Sequence, residues 1–380
     1  MDKRDELNEK ALALHRKYPG KISIQSTVPL ENREDLSLAY TPGVGHVSSV
    51  VGKDKERVRE YTIKANSVAI VSDGSAILGL GNLGPEAALP VMEGKAVLFK
   101  EFGGIDAFPI CLATQDTDEI VKTVENIAPV FGGINLEDIS APRCFEIEER
   151  LKGKLDIPVM HDDQHGTAVV VLAGLLNTLR VQGLDKESVK IVMSGAGAAG
   201  IAVTKLLLQY GFEHIVVLDS KGIIHEGRSD LGPYKEEIAH ATHSRKGGGL
   251  AEALPGADVF IGVSKGGILT RDMVASMNQS PVIFALANPV PEIMPEEASA
   301  AGAGVIATGR SDFPNQVNNV LAFPGIFRGA LDHRVRDITD VMLIRAAEAL
   351  ATTIPDPQSD LILPNVFEEG IAERIAKAII

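Results

Sequence analysis

The chain has no tryptophan, two cysteines and only 4% aromatic residues among its 380. Cys111 and Cys144 stand alone in separate segments, which excludes a disulfide scaffold and a CxxC motif and fits reduced, packed thiols. No stretch reaches the roughly 18 uninterrupted apolar residues of a membrane span, and the charged start MDKRDELNEKALALHRKYPGK has no signal-peptide run. A cytoplasmic protein is expected, with no membrane partner. Positive charge is also scarce: the net charge of -14 argues against nucleic acid or an anionic membrane, although a local basic site could still hold a small anion. What is present is 45% hydrophobic and 23% charged, an α/β-type composition in a chain long enough for two domains.

The chain is organised around residues 188–222, which start SVKIVMSGAGAAG and end HIVVLDSKG. Val189 to Met193 is short, β-branched and closed by Ser194 and glycine, so it reads as a buried strand. Gly195 then permits a tight turn, Gly197 lets backbone N–H groups approach a pyrophosphate, and Gly200 lets the next helix pack on the sheet. Ala196, Ala198 and Ala199 complete this phosphate-binding turn. A helix runs to Gly211, and a second strand, Ile215 to Leu218, delivers Asp219 about 20 residues on, where a carboxylate can bond an adenosine ribose 2′-hydroxyl. An isolated GxGxxG is often only a turn. Strand, helix, second strand and terminal acid together point to a dinucleotide. Asp219 favours NAD by that bond and by repelling a 2′-phosphate, while Ser220 and Lys221 could accommodate the phosphate. Use of both cofactors is expected, with a lean to NADP.

Residues 4–18 read as a helix whose Leu7, Ala11 and Leu14 could pack on the body or on a second subunit. A turn-rich segment ends in LAYTPGV, where Tyr40 precedes Thr41-Pro42-Gly43 and is held extended or in a turn. SVAIVSDG, AVLFKEFG, AFPICLA, GGINLED and IPVMHDD read as strands, with the helices DTDEIVKTVENIAPVF and SAPRCFEIEERL, the latter capped by Ser140, among them. After Asp163, GTAVVVLAGLLNTLRVQG reads as a buried helix ended by Gly183. ADVFIGVS, PVIFALANP and GVIATG supply further strands, and VMLIRAAEALATT and NVFEEGIAERIAKAII read as C-terminal helices. This alternation predicts an α/β fold: an N-terminal parallel-sheet domain over residues 1–162, then a Rossmann-type dinucleotide-binding domain with C-terminal helices over residues 163–380. In such sheets ligands collect beyond the carboxyl ends of the strands.

Acids fall at those ends. Glu137, Asp138 and Asp163 offer hard oxygen ligands that select Mg2+ or Mn2+ over zinc, and three carboxylates at one point repel unless a divalent ion neutralises them. Each acidic pair taken alone also suits a solvated strand end. His161 and His165 flank the same acids without the cysteines or helical HExxH of a zinc site. Lys95, in the turn-like EGK, is an ordinary surface lysine if it faces water. Partly buried and facing a metal, it would have a lowered pKa and could act as a general base. Asn288 precedes Pro289, and Asn318 and Asn319 lie in VNNVLAFPG; such amides mark turns and can also hold a carboxylate without adding charge.

LAYTPGV, SDGSAILGLGNLGP, MEGKAVLFK, INLEDI, HDDQHGTA, GAGAAG, ALANP and NNVLAFPG occur in the order seen in malic enzymes. The chain resembles their short bacterial form, without a fused phosphotransacetylase-like domain. The resemblance implies a homodimer that oxidatively decarboxylates L-malate to pyruvate and CO2, reducing NAD(P)+ with Mg2+ or Mn2+ held by Glu137, Asp138 and Asp163. It implies that Lys95 takes the C2 hydroxyl proton as hydride leaves for the nicotinamide, that Asp162 orients or tunes Lys95, and that Tyr40 protonates C3 of enolpyruvate. It puts Asn288 and Asn319 with Lys95 on the substrate, and Thr167 and Asn288 beside the cofactor. A malolactic-type lyase with tightly bound NAD would carry much the same motifs. Larger malic enzymes have Glu-Arg after the SDG-like tripeptide, and that Arg grips malate. Here Ser75 and Ala76 stand in those places, so another cation, Lys100 or the metal, must replace it.

Overall fold

Two mainly parallel sheets carry the chain in a computed structural model, which describes residues 3–242 and 247–380. The first contains β1 (Ser67–Ser72), β2 (Asp106–Cys111), β3 (Gly133–Leu136) and β4 (Val159–His161), all parallel in the order β2-β1-β3-β4. The apolar runs of β1, β3 and β4 are buried at every position, as expected where helices cover both faces of a parallel sheet. The second contains β5 (Lys190–Ser194), β6 (His214–Asp219), β7 (Gly222–Ile223), β8 (Val259–Gly262), β9 (Val282–Ala285) and β10 (Val305–Thr308). Its order is β10-β9-β8-β5-β6-β7, with only β7 antiparallel, so β5 and its glycine turn lie at the centre. That is the doubly wound arrangement expected for a dinucleotide-binding sheet.

The run AVLFKEFG, expected as a strand, is instead the second half of the helix Pro85–Gly103. Its buried positions Ala88, Met92, Lys95, Ala96, Phe99 and Gly103 recur at the three-to-four-residue interval of a helix, with Pro85 in the first turn and left-handed Gly104 as cap. Read as a short apolar run, the segment hides that period. Lys95 therefore projects from a helix, not from a turn. Ser140 does not cap the helix Arg143–Lys152, because Pro142 occupies the N-cap without a side-chain bond. Its backbone N–H donates instead to Ser75 Oγ at 2.9 Å. The last expected helix is confined to Ile371–Ala376, started by Gly370 at φ +83°. The helix Lys3–Lys17 forms, but residues 5–17 are all exposed, so its apolar face does not pack on the body.

The helix Asp162–Gln182 begins directly at the end of β4 and runs into the second sheet's layer, where left-handed Gly183 ends it. Buried Asn177 ties it to the C-terminal segment, donating to the carbonyls of Ala351 and Ile362 at 2.9 Å each. The helix Phe323–Asp332 closes the other side. Phe323 and Phe327 meet Phe99 edge-on, with centroids 4.7 and 5.4 Å apart, and all three are fully buried. Burying each such ring stabilises by about 1.5–3 kcal/mol. One apolar core thus runs from the first sheet to the second.

Candidate active site

Lys95 sits where these elements converge. Its side chain is only 6% exposed, with Nζ 4.1 Å from the Phe323 ring centroid. The ammonium donates to Glu137 Oε1 at 2.8 Å, just past β3, and to Asp162 Oδ2, just past β4. Asn319 donates to the same Asp162 oxygen from the start of a 3-10 turn. A Cβ at Gly166 would lie 1.9 Å from Asp162 Oδ1, so glycine there leaves room for the carboxyl. Glu137 Oε2 accepts from Asn135 at 2.9 Å, and Asp163 Oδ2 accepts from the Asp138 backbone N–H at 2.8 Å. Asp138 itself adopts φ +53°, a left-handed conformation uncommon for a non-glycine residue and found preferentially at functional sites. Asp138 Oδ2 and Asp162 Oδ1 are buried acceptors without a hydrogen-bond partner.

Burial disfavours the charged form of every group in this cluster. It pulls Lys95 down, but Asp162, Glu137 and Asp163 outweigh it, and the lysine pKa lies above its ordinary value. This reverses the lowering expected for a buried lysine, because the acids crowd it on several sides. Asp138 is pushed up to about 8 by burial and then by Asp163 and Glu137. Asp162 rises to about 8, since burial and Glu137 outweigh Lys95. Burial likewise raises Glu137 and Asp163. Among the described residues, no three His, Cys, Asp or Glu side chains are gathered, as they stand, to hold one ion. Glu137 is turned toward Lys95, and Asp163 toward a backbone N–H. The set still fits a hard divalent cation: three mutually repelling carboxyls, with an unpartnered buried oxygen on Asp138.

Three further buried or partly buried residues hold loops at the strand ends, and their sequence contexts do not reveal them. Arg143 pairs with buried Asp73 at 2.8 Å and donates to Ser75 Oγ and Ser140 Oγ at 2.9 and 3.1 Å, tying the ends of β1 and β3 together. Lys100 does not fill the place of the missing arginine: it is 58% exposed and paired with Asp106. In the second sheet, fully buried Glu292 accepts from the backbone N–H groups of Ser264 and Ala287 at 2.9 and 3.0 Å, fixing the loops after β8 and β9.

Glu148 is the third. It accepts from the His161 backbone N–H at 3.0 Å and from Gln164 at 3.2 Å, and its carboxylate lies 3.0 Å from His165 Nε2. Burial alone would raise its pKa, but His165, Lys152 and His161 hold it at about 2, below the ordinary 4.5. The folded value is the lower one, so this arrangement stabilises the fold above the unfolded pKa, and that contribution is lost as the pH falls toward the folded value. Glu148→Gln is expected to destabilise the fold by about 1–2 kcal/mol above pH 4.5, through weakened charge-assisted hydrogen bonds, with the difference fading between pH 4.5 and 2. Urea unfolding at a series of pH values measures it; a constant difference across that window would refute the linkage.

The glycine turn after β5 fits a dinucleotide. Gly195 has φ +116°, and a Cβ there would lie 2.8 Å from the Val263 carbonyl oxygen. At Gly200 a Cβ would lie 1.8 Å from the Gly195 oxygen, whereas at Gly197 nothing lies within 4 Å. The turn is thus closed against the sheet and open toward a ligand. Ala196 is buried, and Ala198 and Ala199 begin the helix Ala198–Tyr210, whose first N–H groups face the opening. Asp219 ends β6 beside Gly195, with Ser220 and Lys221 exposed after it. Asn288 is exposed three residues beyond β9, and its carbonyl comes so near Gly79 that a Cβ there would lie 2.6 Å away. It stands where the loop after β1 meets the loop after β9. Thr167 is half-buried in the second turn of the helix Asp162–Gln182. Tyr40 makes no hydrogen bond to these groups among the described residues: it caps the helix Arg33–Ala39, is 68% exposed, and its hydroxyl has no hydrogen-bond partner there.

A parallel sheet that ends in a buried lysine among carboxylates, beside a Rossmann-type sheet with an open glycine turn, defines a dinucleotide-dependent oxidoreductase. The family described as malic enzyme, N-terminal domain, matches residues 19–152, and malic enzyme, NAD binding domain, matches residues 164–380. The chain belongs to the malic enzyme family. It is 56% identical to the bifunctional malic/malolactic enzyme of Bacillus subtilis (strain 168), over 98% of this chain and 92% of that protein. It is 48% identical to the NADP-dependent malic enzyme of Halomonas elongata, over 99% of this chain and 93% of that protein. Its fold matches that of the NAD-dependent malic enzyme of Thermotoga maritima with a TM-score of 0.94 and 51% identity, covering 97% of this chain and 98% of that one.

Proposed function

We propose that the chain oxidatively decarboxylates L-malate to pyruvate and CO2 with reduction of NAD(P)+. The observation that carries this reading is Lys95, buried and held between Asp162 and Glu137 at the carboxyl ends of β3 and β4. In this reading Lys95 Nζ accepts the proton of the malate C2 hydroxyl, Asp162 holds the ammonium in line, and Asn319, which already donates to Asp162, orients substrate beside it. Asn288 stands at the meeting of the two loops and contacts both substrate and cofactor. Glu137, Asp138 and Asp163 would hold Mg2+ or Mn2+, which would supply Lewis acidity and neutralise the negative charge that keeps Lys95 protonated. The bound nicotinamide supplies the hydride acceptor.

Tyr40 is assigned the proton delivered to C3 after CO2 leaves. Its exposure, and that of Leu7, Leu12 and Leu14 on the helix Lys3–Lys17, support a homodimer in which this N-terminal region is covered. Tyr40→Phe is expected to keep oxaloacetate reduction while slowing overall decarboxylation by about 10²-fold, since only the enol step needs the acid. Parallel assays of the two reactions measure this, and equal losses would remove Tyr40 from that step.

The reading is tested by following reduced-nicotinamide absorbance with L-malate and Mn2+, with NAD+ and NADP+ supplied separately, and assaying pyruvate and lactate afterwards. Rising absorbance matched by pyruvate supports it. The Bacillus subtilis relative favours one second reading, a malolactic conversion of malate to lactate. Flat absorbance with lactate appearing would replace the first reading with the second.

A further inference from the structure

We propose that Arg228 and Lys235 are specificity-determining residues of the cofactor site: Arg228 occupies and neutralises Asp219, and Lys235, held by Asp219, is the receptor for a 2′-phosphate, so the chain selects NADP over NAD. The inference rests on the dinucleotide reading above and deepens it. Ser194 of β5 pairs with Leu218 of β6, and the Gly195 N–H donates to the Leu218 carbonyl at 2.8 Å. Asp219 therefore stands next to the glycine turn, where a carboxylate with free acceptors would bond the adenosine ribose.

Asp219 has no free acceptor. Its Oδ1 accepts from the Lys221 backbone N–H at 2.9 Å and Arg228 Nη1 at 2.8 Å, and its Oδ2 accepts from Arg228 Nη2 at 3.1 Å and Lys235 Nζ at 2.6 Å. An ionised carboxylate offers about four lone-pair sites, so these four bonds occupy it. Arg228 is held further by Asp230, at 2.9 Å from both Nε and Nη2, and by the Gly222 carbonyl at 3.3 Å. Lys221 Nζ pairs with Asp230 as well, at 2.8 Å. Among the described residues, three cations thus face two carboxylates, leaving a surplus of positive charge beside the glycine turn.

The two cofactors meet this arrangement differently. An NAD ribose must displace Arg228 or Lys235 from Asp219 before its 2′-hydroxyl has an acceptor, and the displaced cation loses a charge-assisted bond. A 2′-phosphate needs no such exchange. It arrives as an anion where the Lys235 ammonium, already oriented by its bond to Asp219, keeps two donors to offer, while the five Arg228 N–H donors are spent on Asp219, Asp230 and the Gly222 carbonyl. The carboxylate that would repel the phosphate is neutralised in place by those same cations. Asp219 then acts as the anchor of the receptor and not as the reader of the ribose.

Calorimetric titration of the full chain with 2′,5′-ADP and with ADP tests this without malate, metal or turnover. The unmodified protein is expected to bind 2′,5′-ADP at least about tenfold more tightly than ADP. Arg228→Ala should weaken 2′,5′-ADP by about 10–100-fold while leaving ADP within about twofold, because Asp219 is then free to accept from the ribose. Arg228 is largely buried, so Lys235→Ala, on a more exposed side chain, provides a second variant with the same selective loss. Tighter binding of ADP than of 2′,5′-ADP by the unmodified protein would overturn the proposal, as would equal losses of both ligands in the two folded variants. Selective 2′,5′-ADP binding without malate turnover would uphold this inference and sink the proposed reaction. Binding of neither ligand by folded protein would sink the dinucleotide reading and this inference with it.

Discussion

Lys95→Ala is expected to lower malate oxidation by about 10³-fold while leaving a folded protein that still binds its dinucleotide. The loss is large because this ammonium is, among the described residues, the single cation within hydrogen-bond reach of both Asp162 and Glu137, and the only group the proposed reaction assigns to the C2 hydroxyl proton. The fold survives for a physical reason. Asp162 and Glu137 already have raised pKa values, so without the lysine they take up protons instead of remaining as buried unpaired charges. Steady-state turnover and 2′,5′-ADP or ADP titration of the same preparation separate chemistry from folding. A variant retaining more than about a tenth of normal turnover would remove Lys95 from the base role.

Gly200→Ala is expected to abolish dinucleotide binding and to destabilise the second domain at the upper end of the roughly 1–3 kcal/mol of overpacked sites. The new Cβ would lie 1.8 Å from the Gly195 carbonyl oxygen, and backbone cannot step aside as a flexible side chain can. The glycine turn must open or the helix Ala198–Tyr210 must lift from β5. Gly197→Ala is the matched control, since no atom lies within 4 Å of a Cβ there. It should fold with unchanged stability and weaken only the ligand. Thermal unfolding with and without dinucleotide compares the two, and equal stability of both variants would show that the close approach at Gly200 does not hold in solution.

The parts of this molecule that were readable along the chain are those whose cause is local. The strand-turn-helix around Gly195, Gly197 and Gly200 follows from glycine conformations and β-branched residues within one short window, and β5, β6 and the helix between them lie where that window puts them. The helix Asp162–Gln182 and its Gly183 stop are likewise local. The misreadings came where a segment's period was too short to see or its partner too far away. AVLFKEFG looked like a strand because its helical period emerges only from Ala88 onward, and Ser140 was displaced as a cap by Pro142 two residues later.

The candidate site divides in the same way. That acids and a dinucleotide turn stand at strand ends was determined by the sequence itself, since residue identity and strand boundaries suffice for it; that Lys95 reaches those acids from a helix was not. Which acids touch Lys95, and the direction in which they move its pKa, was decided only by the tertiary structure. The ammonium meets Glu137 and Asp162 from helices and strands 42 and 67 residues distant, and its pKa reflects the sum of burial and surrounding charge at that one point. The same holds for Asp219. Its identity suggested a ribose acceptor, but Arg228 and Lys235, brought to it by the turn after β7 and the start of the helix Pro233–Thr242, occupy the oxygens on which that reading depended. A carboxylate's chemistry is written in its residue type; whether its lone pairs are free is a property of the folded neighbourhood.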